Sequence, residues 1–308
     1  MVTMRGPQLM TPLTAIGPDR DAIGRLAEGV LDPGEDVRYL VTRAGTVSLA
    51  EGEEGALVLA LETSDPRRGL RTPLVYLGRR DGLRIIAAED PEPGPELDDP
   101  GRDLRDIRQV APRLDPATAS FALAASAMGT WHRTHRHCPQ CGALLEPAVA
   151  GWVLRCTEDG SEHFPRTDAA VIMAVRDGSD RLLLARNAGF RGRFHSVLAG
   201  FVEPGETLEN AVVREVFEEV SCAVQELEYV GSQPWPFPRS LMVGYRAWVE
   251  DPESLALTDG ELAEARWFRR EELAAALAAG EVEIPAGSSI GRALIEDWYG
   301  APIPTDGE

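Results

Sequence analysis

Residues 200–222 of this chain, GFVEPGETLENAVVREVFEEVSC, combine helical periodicity with three closely spaced glutamates. Apolar residues recur at helical spacing from about residue 208 to residue 220, which predicts a helix whose apolar side contains Leu208, Val212, Val213, Val216, Phe217 and Val220. Glu215, Glu218 and Glu219 stand at i, i+3 and i+4 and therefore share the opposite side. Neighbouring like charges repel one another, and a bound cation reverses that interaction. The three glutamates therefore have two interpretations: a solvated acidic surface, or a site for a hard ion such as Mg²⁺, which prefers oxygen ligands.

The spacing of the whole segment resembles the Nudix box, G-x5-E-x7-R-E-U-x-E-E-x-G-U. The first glycine and every charged position are filled, by Gly200, Glu206, Arg214, Glu215, Glu218 and Glu219. The box departs from the pattern at its end, where Ser221 replaces glycine and Cys222 replaces an aliphatic residue. If residue 221 caps the helix in the left-handed conformation, serine costs about 1 kcal/mol relative to glycine.

A second motif lies downstream of the box. Residues 232–240, SQPWPFPRS, resemble the signature that marks the NADH pyrophosphatases within the Nudix superfamily. This resemblance implies an α/β fold: a catalytic Nudix α/β/α sandwich, preceded by an N-terminal Nudix-like domain and a small zinc-ribbon module between them. We expect the N-terminal domain at residues 1–125, the helix end and ribbon at 126–166, and the catalytic domain at 167–308.

The composition bounds the class of protein. A formal net charge of −19 repels polyanions and argues against general nucleic-acid binding. No apolar run approaches the ~20 residues of a membrane span, and the N-terminal residues lack the features of a signal peptide, so we expect a cytoplasmic protein without membrane contact. Four cysteines in 308 residues do not indicate a disulfide scaffold.

The region before the ribbon contains strand-like runs at 37–41 and 74–77. The stretch from Glu89 to Asp106 is rich in proline, glycine and acidic residues, which predicts an exposed loop. Asp115 followed by Pro116 predicts a helix start, and apolar residues continue that helix to about Trp131. We find no catalytic constellation in this region.

A cysteine knuckle, Cys138-Pro139-Gln140-Cys141-Gly142, begins the expected ribbon, because C-x2-C allows two thiolates to reach one ion. Cys156 stands where a second knuckle begins, but no cysteine follows it. Structural zinc would then be held by Cys138, Cys141, Cys156 and either Asp159 or His163. The rival interpretation is a degenerate ribbon without metal. The fourth cysteine, Cys222, is expected to be a small buried side chain of the box helix.

The catalytic region shows buried strands at 169–175 and 182–185 around an Asp-Gly turn, another strand at 241–249, and a helix at 271–279. Residues 290–296, IGRALIE, resemble the family's last helix. The stretch TDGELAEARWF, residues 258–268, resembles the family's D-x-x-E-L-x-E-A-x-W-[FY] segment. The family resemblance implies that Glu215, Glu219 and Glu261 bind Mg²⁺ or Mn²⁺, with Glu218 nearby. Glu219 is also the candidate for orienting or deprotonating the attacking water.

The resemblance also implies the residues that contact the substrate. Phe164 and Phe201 take the positions whose rings clasp a base of the dinucleotide and come from two subunits, which implies a homodimer. Core packing is the alternative for either ring. The second motif and the last helix contribute Gln233, Trp235, Ser240, Met242 and Gly291 to the predicted substrate site.

The resulting functional prediction is metal-dependent hydrolysis of NAD(H) to NMN(H) and AMP. One alternative is the removal of a 5′-NAD cap from RNA, for which Arg191, Arg193 and Arg239 could supply a local basic patch. A second alternative is a non-catalytic nucleotide-binding sensor. Loss of a box glutamate would favour the sensor, and none is lost.

Overall fold

The computed structural model describes residues 19–43, 45–52, 56–66, 73–89, 102–189, 192–258 and 260–304. Their contacts form two compact units. One comprises Ala15–Thr167 and Trp235–Arg239, and the other comprises Asp168–Pro234 and Ser240–Glu308, so far as these ranges are described. In the part of the chain that is described, no helix is long and apolar enough to cross a membrane.

A seven-stranded sheet forms most of the first unit. Its strands are β1 (Val37–Arg43), β2 (Thr46–Glu51), β3 (Leu57–Leu59), β4 (Leu61–Glu62), β5 (Leu74–Arg80), β6 (Leu83–Glu89) and β7 (Leu104–Asp106). The order is β3-β2-β1-β6-β5, with β4 paired to β1 and β7 paired to β2. β1 and β6 run parallel, whereas the other strand pairs are antiparallel. The predicted strands at 37–41 and 74–77 are confirmed as parts of β1 and β5.

The predicted exposed loop from Glu89 to Asp106 is wrong at both ends. Glu89 is the last residue of β6, and Leu104–Asp106 form β7, which pairs with β2. Residues 90–101 lie outside the described part of the chain. The backbone groups of this charged stretch find partners on a distant strand, which local composition does not reveal.

Two helices follow the sheet, α1 (Ile107–Val110) and α2 (Pro116–Thr134). The predicted start of α2 is confirmed, because the Asp115 carboxylate accepts hydrogen bonds from the N–H groups of Ala117 and Thr118. The apolar side of α2, which includes the buried Phe121, Met128 and Trp131, packs against the sheet. Three short antiparallel strands come next: β8 (Leu145–Ala148), β9 (Val153–Cys156) and β10 (Glu162–His163).

The second unit contains a six-stranded mixed sheet. Its strands are β11 (Asp168–Arg176), β12 (Leu182–Asn187), β13 (Leu198–Phe201), β14 (Val224–Trp235), β15 (Ser240–Val249) and β16 (Leu262–Phe268). The order is β14-β15-β11-β12-β16, with β13 also paired to β11. β11 and β15 are parallel, whereas β12 is antiparallel to β16. The helices are α3 (Leu208–Val220), α4 (Arg270–Ala278) and α5 (Ile290–Tyr299).

Helices cover both faces of this sheet. Val171 and Val243 pack with Val212 and Val216 of α3 on one face. Ile172 and Ala174 pack on the other face with α4 and α5, including Leu273 and Leu294. The layers are therefore helix, sheet and helix, as predicted.

The prediction for the apolar side of α3 is wrong for two residues. Val212, Val216 and Val220 are buried, but Val213 is 41% exposed and Phe217 is 60% exposed. The side that packs on the sheet is narrower than the run of apolar residues. It contains Ala211, Val212, Val216 and Val220, whereas Val213 and Phe217 lie about 100° further round the helix than Val212 and Val216. Cys222, just after the helix, is fully buried as predicted.

Candidate active site and metal centre

The helix α3 carries the three predicted glutamates and has defined ends. It follows a turn in which the Glu206 N–H donates to the Glu203 carbonyl at 3.0 Å and Gly205 has a φ of +90°. Thr207 caps its first turn by accepting from the Asn210 N–H. At the other end Ser221 adopts the left-handed conformation, with φ 58° and ψ 13°. Serine therefore occupies a position that glycine adopts at lower cost.

Arg214 organises the charged side of α3. Its guanidinium donates to both carboxylate oxygens of Glu206, at 2.9 Å each. It also donates to Glu215 Oε1 and Glu218 Oε2 at 2.9 Å, and to the Phe201 carbonyl at 2.8 Å. The planar guanidinium fixes several carboxylates at once and ties the box helix to the end of β13.

Gly200 allows the Glu215 carboxylate to lie against β13. A Cβ atom placed on Gly200 would be 1.8 Å from Cδ of Glu215 and 2.0 Å from its Oε1. No side chain fits there unless the carboxylate moves. The first residue of the box is therefore glycine for a steric reason, which the spacing of the motif alone did not show.

The electrostatics of Glu215 fit a bound cation. Burial raises the pKa of Glu215, the nearby charges of Glu218 and Glu261 act in the same direction, and Arg214 opposes them. Glu219 is buried one turn further along the helix, whereas the Glu218 side chain is about half exposed. A cluster of hard oxygen donors that repel one another is suited to Mg²⁺ or Mn²⁺.

Glu261 lies just before β16 and is held by the end of β12. Its carbonyl accepts from the Ala188 N–H at 2.8 Å, and its Oε1 lies 3.5 Å from Nδ2 of Asn187. Asn187 was not among the residues predicted for the site. The signal that could have found it is a polar amide at the last position of a buried strand, where side chains turn toward the edge of the sheet.

Phe201 and Met242 lie in one row across the sheet. Both are register partners of Ala170 on β11, so their side chains share one face. Ser240 stands two residues before Met242 and therefore lies on the same face. This face carries α5, whereas Gly200 and Glu215 lie on the face covered by α3. At the end of β13 the predicted metal ligand Glu215 thus packs against Gly200, and the next residue is the predicted substrate residue Phe201.

Gln233 is fully buried, and its amide is occupied by the backbone. Nε2 donates to the Ser288 carbonyl at 2.7 Å, and Oε1 accepts from the Ile290 N–H at 2.8 Å. Both partners lie at or just before the first residue of α5. A Cβ atom placed on the next residue, Gly291, would be 3.4 Å from Cδ1 of Ile172 and from Oγ of Ser196. Gln233 thereby holds the first turn of α5, and its predicted contact with the substrate stays a prediction.

The three aromatic residues predicted to contact the substrate are exposed or partly buried. Phe164 is 65% exposed and Phe201 is 60% exposed, which rules out core packing for both rings within one chain. Trp235 is partly buried and meets Phe237 edge to face, with ring centroids 5.3 Å apart. Within the same unit, the Arg108 guanidinium lies 5.4 Å from the Phe237 ring centroid.

The ribbon brings three thiols and one carboxylate together. The ligand atoms of Cys138, Cys141, Cys156 and Asp159 all lie within 4.8 Å of one another. The Cys141 and Cys156 sulfurs are 3.4 Å apart, and Cys138 Sγ is 3.5 Å from Asp159 Oδ2. Tetrahedral zinc with Zn–S bonds of ~2.3 Å requires ligand separations of about 3.8 Å, so the group fits zinc.

The local hydrogen bonds favour charged ligands at this cluster. Desolvation opposes ionisation of the Cys138 thiol, but hydrogen bonds from the Cys141 and Gln140 N–H groups outweigh it and lower its pKa to about 6. Hydrogen bonds from the Ser161 hydroxyl and N–H hold the pKa of Asp159 well below its usual range. Both donors reach Oδ1, so Oδ2 faces the sulfurs. His163 lies outside the cluster, and its Nε2 is 3.1 Å from the Ser161 hydroxyl.

Comparison with known proteins gives matches along most of the chain. Residues 36–131 match the NADH pyrophosphatase-like rudimentary NUDIX domain, residues 133–164 the NADH pyrophosphatase zinc ribbon domain, and residues 165–286 the NUDIX domain. A protein of Mycobacterium bovis named NAD-capped RNA hydrolase NudC is 43% identical over 236 residues, which cover 73% of this chain and 74% of that protein. A protein of Salmonella heidelberg with the same name is 38% identical over 197 residues, covering 63% of this chain and 72% of that protein.

These matches agree with the layers described above. The predicted fold, a Nudix α/β/α sandwich with an N-terminal Nudix-like domain and a zinc ribbon between them, is confirmed. The predicted boundaries after residues 125 and 166 stay predictions. With 43% identity over nearly three quarters of a relative's length, the chain belongs to the NADH pyrophosphatase family of Nudix hydrolases.

Proposed function

We propose that the chain hydrolyses the pyrophosphate bond of NAD(H) or a related dinucleotide, giving NMN(H) and AMP. The observation that carries this proposal is the end of β13. There Gly200 lies against the Glu215 carboxylate on one face of the sheet, and the exposed ring of Phe201 shares the other face with Met242. A carboxylate suited to a pyrophosphate-bound cation therefore packs against Gly200, and the next residue of the strand carries a ring suited to a base.

Glu215, Glu218, Glu219 and Glu261 would hold Mg²⁺ or Mn²⁺. When bound, the cation supplies positive charge to the pyrophosphate oxygens, which lets water approach phosphorus. Arg214 keeps Glu215 and Glu218 in place through its hydrogen bonds. In the reaction, the buried Glu219 orients the water and accepts its proton. A new P–O bond forms as the bridging P–O bond breaks, and AMP and NMN(H) are released.

Different residues bind the two ends of the substrate. The exposed rings of Phe164 and Phe201 stack on a base, which stabilises binding by about 1–3 kcal/mol per base. Ser240, Met242, Gln233 and Gly291 of the catalytic unit are the further proposed contacts of the substrate, and Trp235 stays a prediction from the sequence. The aromatic clasp takes its two rings from two subunits, so the active form is a homodimer. Light scattering tests this, since a fully active monomer would contradict it.

NAD-capped RNA is the second candidate substrate, because both relatives named above carry that activity in their names. Such a cap presents the same pyrophosphate to the same glutamates. The negative net charge favours the small dinucleotide. Of the predicted basic patch, Arg191 lies outside the described residues, and Arg193 donates to the Gly280 carbonyl and lies 3.8 Å from Glu283. Cytoplasmic location stays a prediction from the sequence.

The direct test compares kcat/KM for NADH, NAD⁺ and a short 5′-NAD-capped RNA under the same Mg²⁺ or Mn²⁺ concentration. We expect NADH to be the best of the three, and Glu219→Gln to abolish turnover of all of them. A preference for capped RNA of tenfold or more would favour the second candidate. Absence of turnover with every substrate, together with nucleotide binding, would favour the sensor.

For the ribbon we propose that zinc is held by Cys138, Cys141, Cys156 and Asp159. The geometry of the cluster supports Asp159 over His163, because Oδ2 of Asp159 faces the sulfurs. Elemental analysis of chelator-free protein should give about one zinc per chain. Asp159→Ala should lose zinc and His163→Ala should keep it, and the reverse result would assign the fourth ligand to His163.

A further inference from the structure

The C-terminal end of the box helix is capped by a distant segment. The last carbonyl groups of a helix have no partner within the helix. In α3 the Glu218 carbonyl accepts from the Thr258 hydroxyl at 2.5 Å, and the Val220 carbonyl accepts from the Ala256 N–H at 3.1 Å. Residues 256–258, which we call the capping segment, therefore bind the turn of the helix that carries Glu218 and Glu219.

The capping segment lies close to Glu261 along the chain. Glu261 is three residues after Thr258, so their Cα atoms are at most about 11 Å apart. At its far end Glu261 is fixed by the Ala188 N–H at 2.8 Å. Thr258 thus connects the helix that carries three of the carboxylates to the loop that carries the fourth.

We propose that Thr258 is a positioning residue for the divalent cation, because its hydroxyl sets the distance between the box carboxylates and Glu261. This inference rests on the proposed role of Glu261 as a metal ligand. Ligand atoms must lie within about 0.2 Å of their required distances, so a small displacement of the loop weakens the site. Hydrogen-bond partners behind metal ligands commonly change metal affinity by about 10–100-fold.

The test replaces the hydroxyl while keeping the shape. Thr258→Val removes the donor with little change in volume, and Thr258→Ser keeps the donor. Free Mn²⁺ is measured by electron paramagnetic resonance during titration of the full, zinc-loaded chain without substrate. We expect Thr258→Val to raise the Kd for Mn²⁺ at least fivefold and Thr258→Ser to stay within twofold of the wild type. At saturating Mn²⁺ the kcat for NADH should recover in Thr258→Val.

Thr46→Val is the matched control. The Thr46 hydroxyl also donates to a backbone carbonyl, that of Arg43 at 2.6 Å, but it belongs to the sheet of the other unit. It should change thermal stability about as much as Thr258→Val and leave Mn²⁺ binding unchanged. A merely structural role of Thr258 predicts equal Mn²⁺ affinity in the two valine variants.

Glu261→Gln separates the two hypotheses. If Glu261→Gln weakens Mn²⁺ binding but Thr258→Val does not, the positioning role of Thr258 is overturned and the proposed ligand set stands. If Glu261→Gln leaves the Mn²⁺ Kd unchanged, the assignment of Glu261 as a ligand fails, and the inference about Thr258 fails with it. Thr258→Ala, which also lacks the hydroxyl, should behave as Thr258→Val does.

Discussion

Gly200→Ala should damage the metal site while leaving the fold almost intact. The added methyl group would lie 1.8 Å from Cδ of Glu215, where no real contact is shorter than about 3.0 Å. The carboxyl carbon therefore has to move by more than an ångström. Glu215 ends in a flexible side chain, so its carboxylate yields before the backbone of β13 does.

The expected loss of activity in Gly200→Ala follows from the small errors in ligand distance that metal sites tolerate. A displacement of more than an ångström is several times the ~0.2 Å within which ligand distances hold. Misplacement on this scale costs about 100-fold in rate when a reacting group is affected. We therefore expect kcat/KM for NADH to fall about 100-fold, by about 2.7 kcal/mol of transition-state stabilisation.

The assay measures NADH hydrolysis, the Kd for Mn²⁺ and the melting temperature of the same preparations. Gly178→Ala is the control, because a Cβ atom at Gly178 meets nothing within 4 Å and its φ is not in the left-handed region. That variant should keep wild-type activity. Activity of Gly200→Ala within threefold of the wild type, with unchanged Mn²⁺ affinity, would refute the steric argument.

Three further predictions concern stability and specificity. Ser221→Gly should stabilise the chain by about 1 kcal/mol in calorimetry, because residue 221 has a φ of 58°; no gain would contradict the strain argument. Burial lowers the pKa of His132. The neutral His132 should therefore stabilise the fold fully above its unfolded pKa of about 6.5, and this contribution should be lost as pH falls through the folded pKa. In denaturant titrations, His132→Gln should lose less stability than the wild type over the same fall in pH. Phe201→Ala and Trp235→Ala should each reduce the preference for NADH over ADP-ribose, whereas Glu215→Gln should slow both substrates alike; a common factor for all three variants would contradict separate binding of the two ends.

The sequence predicted the box helix well because its evidence is local. Periodicity gave the span of α3 at both ends, and the spacing of the glutamates placed them beside Arg214. The same local evidence predicted burial of Phe217 wrongly, because the sequence of a helix does not show which of its apolar side chains the sheet covers. Its exposure depends on the partner surface.

Features that depend on distant contacts could not be predicted. The burial of Gln233 depends on its bonds to the backbone at Ser288 and Ile290, more than fifty residues away. The strand β7 exists because it pairs with β2. The choice between Asp159 and His163 likewise required the positions of the sulfurs, since either residue lies close enough in sequence to complete a ribbon.

The central claim is that the box carboxylates hydrolyse the pyrophosphate bond of NAD(H). It is tested most directly by incubating NADH with the wild-type chain and with Glu219→Gln in Mg²⁺ or Mn²⁺, and identifying the products by mass spectrometry. The account predicts equal amounts of NMNH and AMP from the wild type and almost none from Glu219→Gln. Release of nicotinamide instead, or Glu219→Gln activity within threefold of the wild type, would contradict it.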